Sequence, residues 1–216
     1  GGQVLTGANS VREFASENEG GGAIEFENRY GGLVTVAYVR QHNGGDITVN
    51  NYDGDLALSG DVTTANDVTV RNSLGSLLVA GDMSARGNID IETGGDVTIS
   101  RTIADATGVR LAAGGAVTQT DQGRFDSIDF LNVSSVGGQT LTGENTVREF
   151  VAANEGGNAI EFNTYYSGTV TLRNVHQRDG GEIAVSNFGG DMIVDGAVAT
   201  NDNVLVRNDA GSLDIR

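Results

Sequence analysis

Pairs of apolar residues separated by a single residue recur along the whole chain, each after a stretch rich in glycine or polar residues. Such alternation is typical of a β-strand with one buried face and one exposed face. Successive pairs begin at nearly regular intervals, except for one longer interval between Ile128 and Ile160. The pairs are Ile24/Phe26, Ile47/Val49, Val68/Val70, Ile89/Ile91, Val109/Leu111, Ile128/Phe130, Ile160/Phe162, Ile183/Val185 and Val204/Val206. The pattern predicts a short structural repeat rather than an irregular β-domain.

Each repeat has room for three short strands joined by tight turns. In residues 46–66, Gly54 separates a first alternating strand from a second, and Val62 belongs to a third. One such rung cannot bury its apolar face alone, but stacked rungs form a continuous apolar column. We therefore predict an all-β fold, a right-handed parallel β-helix (β-solenoid) with three short strands per rung of about 20–23 residues. The handedness follows from the general preference of parallel crossover connections.

Asparagine recurs four positions after the first apolar residue of many repeats. Asparagine tolerates turn conformations, and stacked side-chain amides can bond along a column. We interpret this set as a structural turn ladder rather than a binding site. Its members are Asn28, Asn51, Asn72, Asn132, Asn187 and Asn208.

A second, longer period is superimposed on the short one. Placing Gly1 opposite Gly137 aligns residues 1–80 with 137–216 without a gap, and about half of the aligned pairs are identical. We predict that residues 1–136 form one full six-rung unit and that 137–216 form a partial second copy, continuous with it in one solenoid. Repetition of this kind also predicts that the chain is a segment of a longer array.

The longest repeat interval contains the segment GGQTLTGENTVREF, residues 137–150, which restates residues 1–14. Arg12 and Glu13 recur there as Arg148 and Glu149. These residues form either a recognition surface repeated once per unit or a salt-bridged loop that seals a widened rung. We favour the loop, while keeping the four residues as the candidate repeated surface feature.

The amino-acid composition argues against several classes of partner and chemistry. The 13 basic residues, all arginine, face 29 acidic residues, which leaves a net charge of −16. This charge disfavours nucleic acid and anionic lipid as partners. Cysteine is absent, and no apolar run is long enough to span a bilayer, so we predict neither thiol chemistry nor membrane insertion.

Several segments resemble the filamentous haemagglutinin-type exoproteins, which are large bacterial surface and secreted adhesins. They are GGDITVNN at 44–51, GGDVTIS at 94–100, LAAGGAVTQT at 111–120 and the VREFVAANEGG…AIEF unit at 147–162. The resemblance covers nearly the whole chain. It implies a right-handed β-helical shaft, export through a partner outer-membrane pore in many members, and a role in adhesion or biofilm.

The only abundant residues with catalytic potential are acidic. We considered Asp46, Asp53, Asp55, Asp61, Glu182 and Asp191, because β-helical polysaccharide enzymes use clustered carboxylates. Only two of these positions stay acidic in both copies, and His42 and His176 both align with arginine. Neither an EF-hand loop nor a calcium-binding nonapeptide repeat occurs. We therefore predict no catalytic residue, no cofactor and no metal site.

The leading functional hypothesis is a structural shaft of a bacterial surface or secreted adhesin or extracellular fibre, located outside the cell or on its outer surface. Its partners would be neighbouring repeats of the same chain, like chains in a fibre, and a host or cell-surface receptor or glycan. The alternative is a carbohydrate-active or glycan-binding β-helix. A groove lined by two or more carboxylates with aromatic platforms would favour that alternative.

Overall fold

The computed structural model describes residues 1–216, and all of its regular structure is β-strand. No helix is present that could cross a membrane. The strands are β1 (Gln3–Leu5), β2 (Glu13–Asn18), β3 (Ile24–Asn28), β4 (Val34–Gln41), β5 (Ile47–Asn51), β6 (Leu56–Leu58), β7 (Val62–Thr64), β8 (Val68–Asn72), β9 (Leu77–Val79), β10 (Met83–Ala85), β11 (Asn88–Thr93), β12 (Val97–Ile99), β13 (Thr102–Ala104), β14 (Gly108–Ala113), β15 (Val117–Gln119), β16 (Arg124–Asp126), β17 (Ile128–Ser135), β18 (Gln139–Leu141), β19 (Val147–Asn154), β20 (Ile160–Thr164), β21 (Val170–Gln177), β22 (Ile183–Asn187), β23 (Met192–Val194), β24 (Val198–Ala199), β25 (Val204–Asn208) and β26 (Leu213–Ile215).

The strands form two parallel sheets that share one solenoid of about ten rungs. The first sheet, of 12 strands, has the order β1-β3-β5-β8-β11-β14-β17-β19-β21-β23-β26, with β24 also paired to β21. The second sheet, of 14 strands, has the order β16-β13-β10-β7-β4-β6-β9-β12-β15-β18-β20-β22-β25, with β2 also paired to β4. The prediction of an all-β parallel solenoid is confirmed.

The apolar pairs build the core by stacking rung on rung. Ile47 lies between Ile24 and Val68 in the first sheet, and each of these side chains is fully buried. A single cluster of 44 buried residues fills the space between the sheets. Because side chains alternate along each strand, the same strands that build the core also present a polar outer face.

The number of strands per rung varies. Four consecutive rungs, from β5 to β16, carry three short strands each, as predicted. Elsewhere two neighbouring strands merge into a longer one, as in β4, whose first half pairs with β6 and whose second half pairs with β7. The rungs of β3–β4 and β19–β20 therefore contain two strands rather than three.

The assignment of Ile128/Phe130 as a leading pair is wrong. Val109 aligns with Leu131 and Leu111 aligns with Val133, so the inward pair is Leu131/Val133. Phe130 is instead 36% exposed. The long interval between Ile128 and Ile160 therefore does not hold one widened rung, because Leu131 and Phe150 lie in successive rungs.

This shift changes how the two copies sit in the solenoid. The strand β3 lies in the first sheet, whereas β20, its equivalent in the second copy, lies in the second sheet. The same exchange holds for β4 and β21 and for β5 and β22. The division of the chain into a unit and a partial copy stays a sequence-based prediction, but the unit spans six rungs plus one further crossing between sheets, not six rungs.

The phenylalanines of the recurring VREF and AIEF segments lie inside the core. Phe14 stacks on Phe26 with ring centroids 4.0 Å apart, and Phe150 stacks on Phe162 at 3.9 Å. In each case one ring comes from the first sheet and the other from the second. The sequence similarity of the two copies in this region thus reflects a repeated core contact.

Candidate functional site: a groove across three rungs

The asparagine positions form hydrogen-bonded columns at the ends of strands. The Asn28 amide donates to Asn51 Oδ1 at 3.3 Å, and the Asn51 amide donates to Asn72 Oδ1 at 2.9 Å. In the second copy, Asn187 donates to Asn208 Oδ1 at 2.8 Å. All of these residues except Asn208 are at most 1% exposed, so their polar atoms serve one another and the adjoining tight turns rather than a ligand.

Asn132 does not belong to these columns. It lies between the buried Leu131 and Val133 and therefore points to the outer face of β17. Ser135 takes the inward position, and its hydroxyl donates to Asn154 Oδ1 at 2.9 Å. The misassignment has the same cause as that of Ile128/Phe130, namely the shifted register of this strand.

The recurring Arg-Glu pair lies on strands or at their edge, not on a projecting loop, and its contacts differ between the copies. Arg12 lies over the Tyr30 ring at 5.4 Å, and Glu13 is exposed at the start of β2. Arg148 bonds Asp129 at 2.9 Å, and Glu149 bonds Arg173 at 2.7 Å.

These acidic partners raise the pKa of both guanidinium groups in the second copy. For Arg148 the largest cause is the hydrogen bond to Asp129, and for Arg173 it is the hydrogen bond to Glu149. The strands that carry the two Arg-Glu pairs belong to opposite sheets. The pair is thus not a feature displayed twice on one face of the solenoid.

Most of the acidic residues considered for catalysis have structural contacts. Asp55 accepts a hydrogen bond from the Ser76 amide at 2.9 Å, and Asp191 accepts one from the Ser212 amide at 2.7 Å. The backbone and side-chain bonds from Ser212 lower the pKa of Asp191. Asp61 pairs with Arg40 at 3.0 Å. Carboxylates placed just before a strand therefore bind the backbone of the next rung.

One exposed cluster of ligand-type side chains was not singled out by the sequence. Glu17, Glu19 and His42 bring three potential ligand atoms within 4.8 Å of one another. In the second copy the positions of Glu19 and His42 are occupied by Glu155 and Arg178, which form an ion pair at 2.7 Å. The cluster is thus one version of an ion-pair position that both copies share.

A concave surface lies where the first unit meets the second. Two hollows of about 360 and 430 Å³ adjoin each other there, sharing Asp126, Thr146 and Tyr165. The smaller hollow is completed by Arg124 and Glu144. The larger hollow also contacts Asp129, Arg148 and Tyr166. These eight residues define what we call the groove.

A buried asparagine supports the groove from below. Asn145 is fully buried, and its side-chain amide donates to the Leu141 and Asn163 carbonyls at 3.0 and 2.9 Å. Its main-chain carbonyl accepts the Tyr165 amide at 2.7 Å. Asn9 makes the corresponding side-chain bonds to Leu5 and Glu27 in the first copy. Both copies therefore contain the asparagine whose side chain holds the backbone in place here.

The lower wall of the groove is acidic and held in place. Asp126 Oδ1 accepts the Thr146 hydroxyl at 2.7 Å, and Thr146 Oγ1 accepts the Ser127 amide at 2.7 Å. Ser127 has a positive φ of 57°, a conformation that residues other than glycine rarely adopt. Both protein hydrogen bonds to the Asp126 carboxylate reach Oδ1, so the other oxygen of this ordered group stays available.

The upper wall is aromatic. Tyr165 is 42% exposed and stacks on Phe188 with centroids 4.8 Å apart and an interplanar angle of 19°. In the first copy the residues at these two positions are Arg29 and Tyr52, which make a cation-π contact at 4.0 Å. The exposed aromatic platform is thus specific to the second copy.

The groove combines three carboxylates, two guanidinium groups and two tyrosines, and therefore offers hydrogen-bond acceptors and donors beside an aromatic surface. Sequence reasoning singled out Arg148 but missed the others, since they come from residues 124–129, 144–148 and 165–166. The sequence feature that could have pointed to the groove is the pair of adjacent tyrosines in the second copy. Only the correct rung register brings them opposite Asp126 and Asp129.

No protein-family model, curated protein or solved structure matches this chain.

Proposed function

We propose that this chain is a structural shaft segment of a bacterial surface or secreted adhesin or extracellular fibre, which provides length, rigidity and spaced surface positions. The observation that carries this proposal is that both sheets and the buried cluster run without interruption through about ten rungs and across the boundary between the two copies. The resemblance to filamentous haemagglutinin-type exoproteins supplies the bacterial and extracellular part of the proposal.

The physical basis of rigidity is the direction of the hydrogen bonds. In a parallel solenoid the ladder bonds run between rungs, along the long axis of the molecule. The chain has 131 backbone hydrogen bonds, and the asparagine columns and strand-start carboxylates add side-chain bonds between rungs. Bending the rod requires these bonds to be stretched on one side together.

The partners and location follow from the same proposal. Neighbouring repeats of the chain and like chains in a fibre would be its structural partners, and a cell-surface receptor or glycan its external one. The net charge of −16 favours a soluble, mutually repelling surface and disfavours nucleic acid. The proposed role requires neither catalysis nor a cofactor.

The test uses the full-length protein in the cell that makes it. One variant replaces residues 1–216 with a flexible Gly/Ser linker of equal length, which would behave as a random coil. The control deletes only residues 68–88, which removes one rung and leaves Asp67 followed by the matching residue Ile89. Antibody labelling of intact cells measures exposure, and attachment to a surface measures function.

We expect all three proteins to be exposed equally, attachment to be lost with the linker, and attachment to be retained with the rung deletion. Full attachment by the linker variant would contradict a role for rigidity. Failure of antibody to label intact cells that contain the protein would contradict the extracellular location.

A further inference from the structure

We propose that the groove binds a neutral oligosaccharide, with one sugar ring packed against Tyr165 and hydroxyl groups bonded to Asp126 and Asp129. This inference goes beyond the shaft function, because it assigns a ligand class to one place on the solenoid. It also meets the condition that would favour a glycan-binding β-helix, namely carboxylates beside aromatic platforms.

The Tyr165 ring is preorganised for stacking. Phe188 covers one face of the ring at 4.8 Å, while 42% of the residue stays exposed. Pyranose rings present C–H groups on their faces, and these groups pack on aromatic rings without requiring a charged partner. Because Tyr165 contacts both hollows, a sugar on this ring would have neighbouring space on either side.

The polar side chains of the groove can form hydrogen bonds with the hydroxyl groups of a sugar. The Asp126 carboxylate is held by Thr146 at 2.7 Å, and the Asp129 carboxylate by Arg148 at 2.9 Å. Each of them leaves its other carboxylate oxygen without a protein partner, so it can accept from a hydroxyl group. Arg148 keeps further N–H donors for sugar oxygens. Acceptors and donors on two walls of one groove can hold a polyhydroxylated ligand in a defined orientation.

Charge and size define the ligand class further. The groove contains Asp126, Asp129 and Glu144 against Arg124 and Arg148, within a chain of net charge −16, so an acidic glycan is disfavoured. Two adjoining hollows of about 360 and 430 Å³ fall within the usual range of small-molecule sites and together exceed the need of a single ring. A neutral oligosaccharide fits both features.

The experiment titrates laminarihexaose, cellohexaose and maltohexaose separately into the purified chain, with hyaluronan hexasaccharide as an acidic comparison. The readouts are saturation-transfer NMR on the sugar and tyrosine fluorescence, which is usable because the chain lacks tryptophan. The test variant is Tyr165→Arg, which introduces the first-copy residue found at Arg29. A second test variant is Asp126→Asn. The control is Tyr52→Phe, which introduces the second-copy residue found at Phe188.

We expect at least one neutral hexasaccharide to bind, with the dissociation constant raised about tenfold or more by Tyr165→Arg and unchanged by Tyr52→Phe. Asp126→Asn should weaken the same complex. Thermal unfolding followed by circular dichroism verifies folding, and Tyr165→Ala replaces any Tyr165→Arg protein that fails to fold.

The proposal is overturned if none of the neutral sugars gives saturation transfer, if binding survives both Tyr165 substitutions, or if only the hyaluronan fragment binds. None of these results bears on rigidity, which the linker experiment tests separately.

Discussion

At the scale of single residues, the asparagines of the columns are tolerated inside this solenoid because each one bonds its counterpart one rung away. An amide carries both a donor and an acceptor, so a column of asparagines can satisfy itself while also bonding the adjoining tight turn. Asn51 does both, donating to the Asp53 carbonyl at 2.6 Å and to Asn72 at 2.9 Å. Asparagine is thus a stacking residue here.

The first prediction concerns the middle of that column. Asn51→Ala removes the acceptor used by Asn28 and the donor used by Asn72, leaving buried groups without partners. We expect the free energy of unfolding to fall by about 2 kcal/mol. Urea denaturation followed by circular dichroism measures the change. Asn132→Ala is the matched control, and its change should stay within about 0.5 kcal/mol, because Asn132 lies on the outer face.

The second prediction concerns pH. The folded-state pKa of Asp191 is lowered by its bonds from Ser212, so the charged carboxylate stabilises the fold. This stabilisation is fully present above the unfolded-state pKa of about 3.9 and is lost as pH falls through the lower folded-state value. Asp191→Asn should therefore unfold at lower urea concentration than wild type at about pH 6, and this difference should shrink at about pH 2.5.

The control for this pH effect is Asp53→Asn, because the Asp53 carboxylate makes no hydrogen bond or ion pair within the protein. Its urea midpoint should follow that of the wild type at both pH values. If the difference in urea midpoint between Asp191→Asn and the wild type were as large at the lower pH as at the higher pH, the charge of Asp191 would not be the source of the stabilisation.

At the scale of the strand, alternation decides which substitutions the fold accepts. Val97 is fully buried in β12, whereas the next residue, Thr98, is on the outer face. Val97→Asp places an unpaired charge in the core and should lower the free energy of unfolding by about 4 kcal/mol or more. Thr98→Asp should change it by less than about 1 kcal/mol.

Circular dichroism and thermal unfolding of the two variants check this expectation. Comparable melting temperatures for Val97→Asp and Thr98→Asp would contradict the inward orientation of Val97. Because each rung contacts only its neighbours, the damage from Val97→Asp should be greatest near β9 and β15, which flank β12. Hydrogen exchange resolves that spread.

Strand alternation also explains how far the sequence could predict the structure. In Ile47/Val49 and the equivalent pairs, only one set of alternating residues is apolar and can face inward. The rungs and the parallel solenoid could therefore be predicted directly from the sequence. The segment IDFLNV, residues 128–133, offers two sets, because Ile128/Phe130 and Leu131/Val133 both alternate. Packing against β14 places Leu131 and Val133 inward and leaves Phe130 exposed, whereas Ile128 stays buried at the start of the strand, so the alternation is interrupted between Ile128 and Leu131.

The groove was not predictable for the same reason. Tyr165 and Asp126 lie far apart in the sequence and meet only through the stacking of successive rungs. The alignment that treated residues 128–160 as one widened rung placed them in the wrong register. Arg148 was recognised because it recurs, but recurrence could not reveal Asp129, which has no counterpart in the first copy of this chain.

At the scale of the whole molecule, the repeat in sequence and the repeat in space have different periods. Equivalent positions of the two copies occupy opposite sheets, as Thr48 in β5 and Ala184 in β22 do. Equivalent surface positions of successive copies therefore lie on different walls of the rod. A solenoid built in this way would present a given surface feature on different walls in successive copies, rather than along one edge.

This geometry makes a distance prediction, and the absence of cysteine allows spin labels to be placed without removing native thiols. The pair Thr48→Cys/Thr171→Cys joins outward positions of the first sheet six rungs apart, about 29 Å along the rod at the spacing of parallel strands. The pair Thr48→Cys/Ala184→Cys spans the same number of rungs but crosses to the second sheet. Its labels lie on different walls of the solenoid and are therefore also separated across the rod.

Double electron-electron resonance should therefore give a clearly longer distance for the Thr48/Ala184 pair, by about 5 Å or more. If the unit instead contained a whole number of rungs, Ala184 would lie above Thr48 on the same sheet, and the two pairs would give nearly the same distance. Since both pairs share the Thr48 label and differ little in height along the rod, a difference between them reports the sheet exchange and not the length of the solenoid.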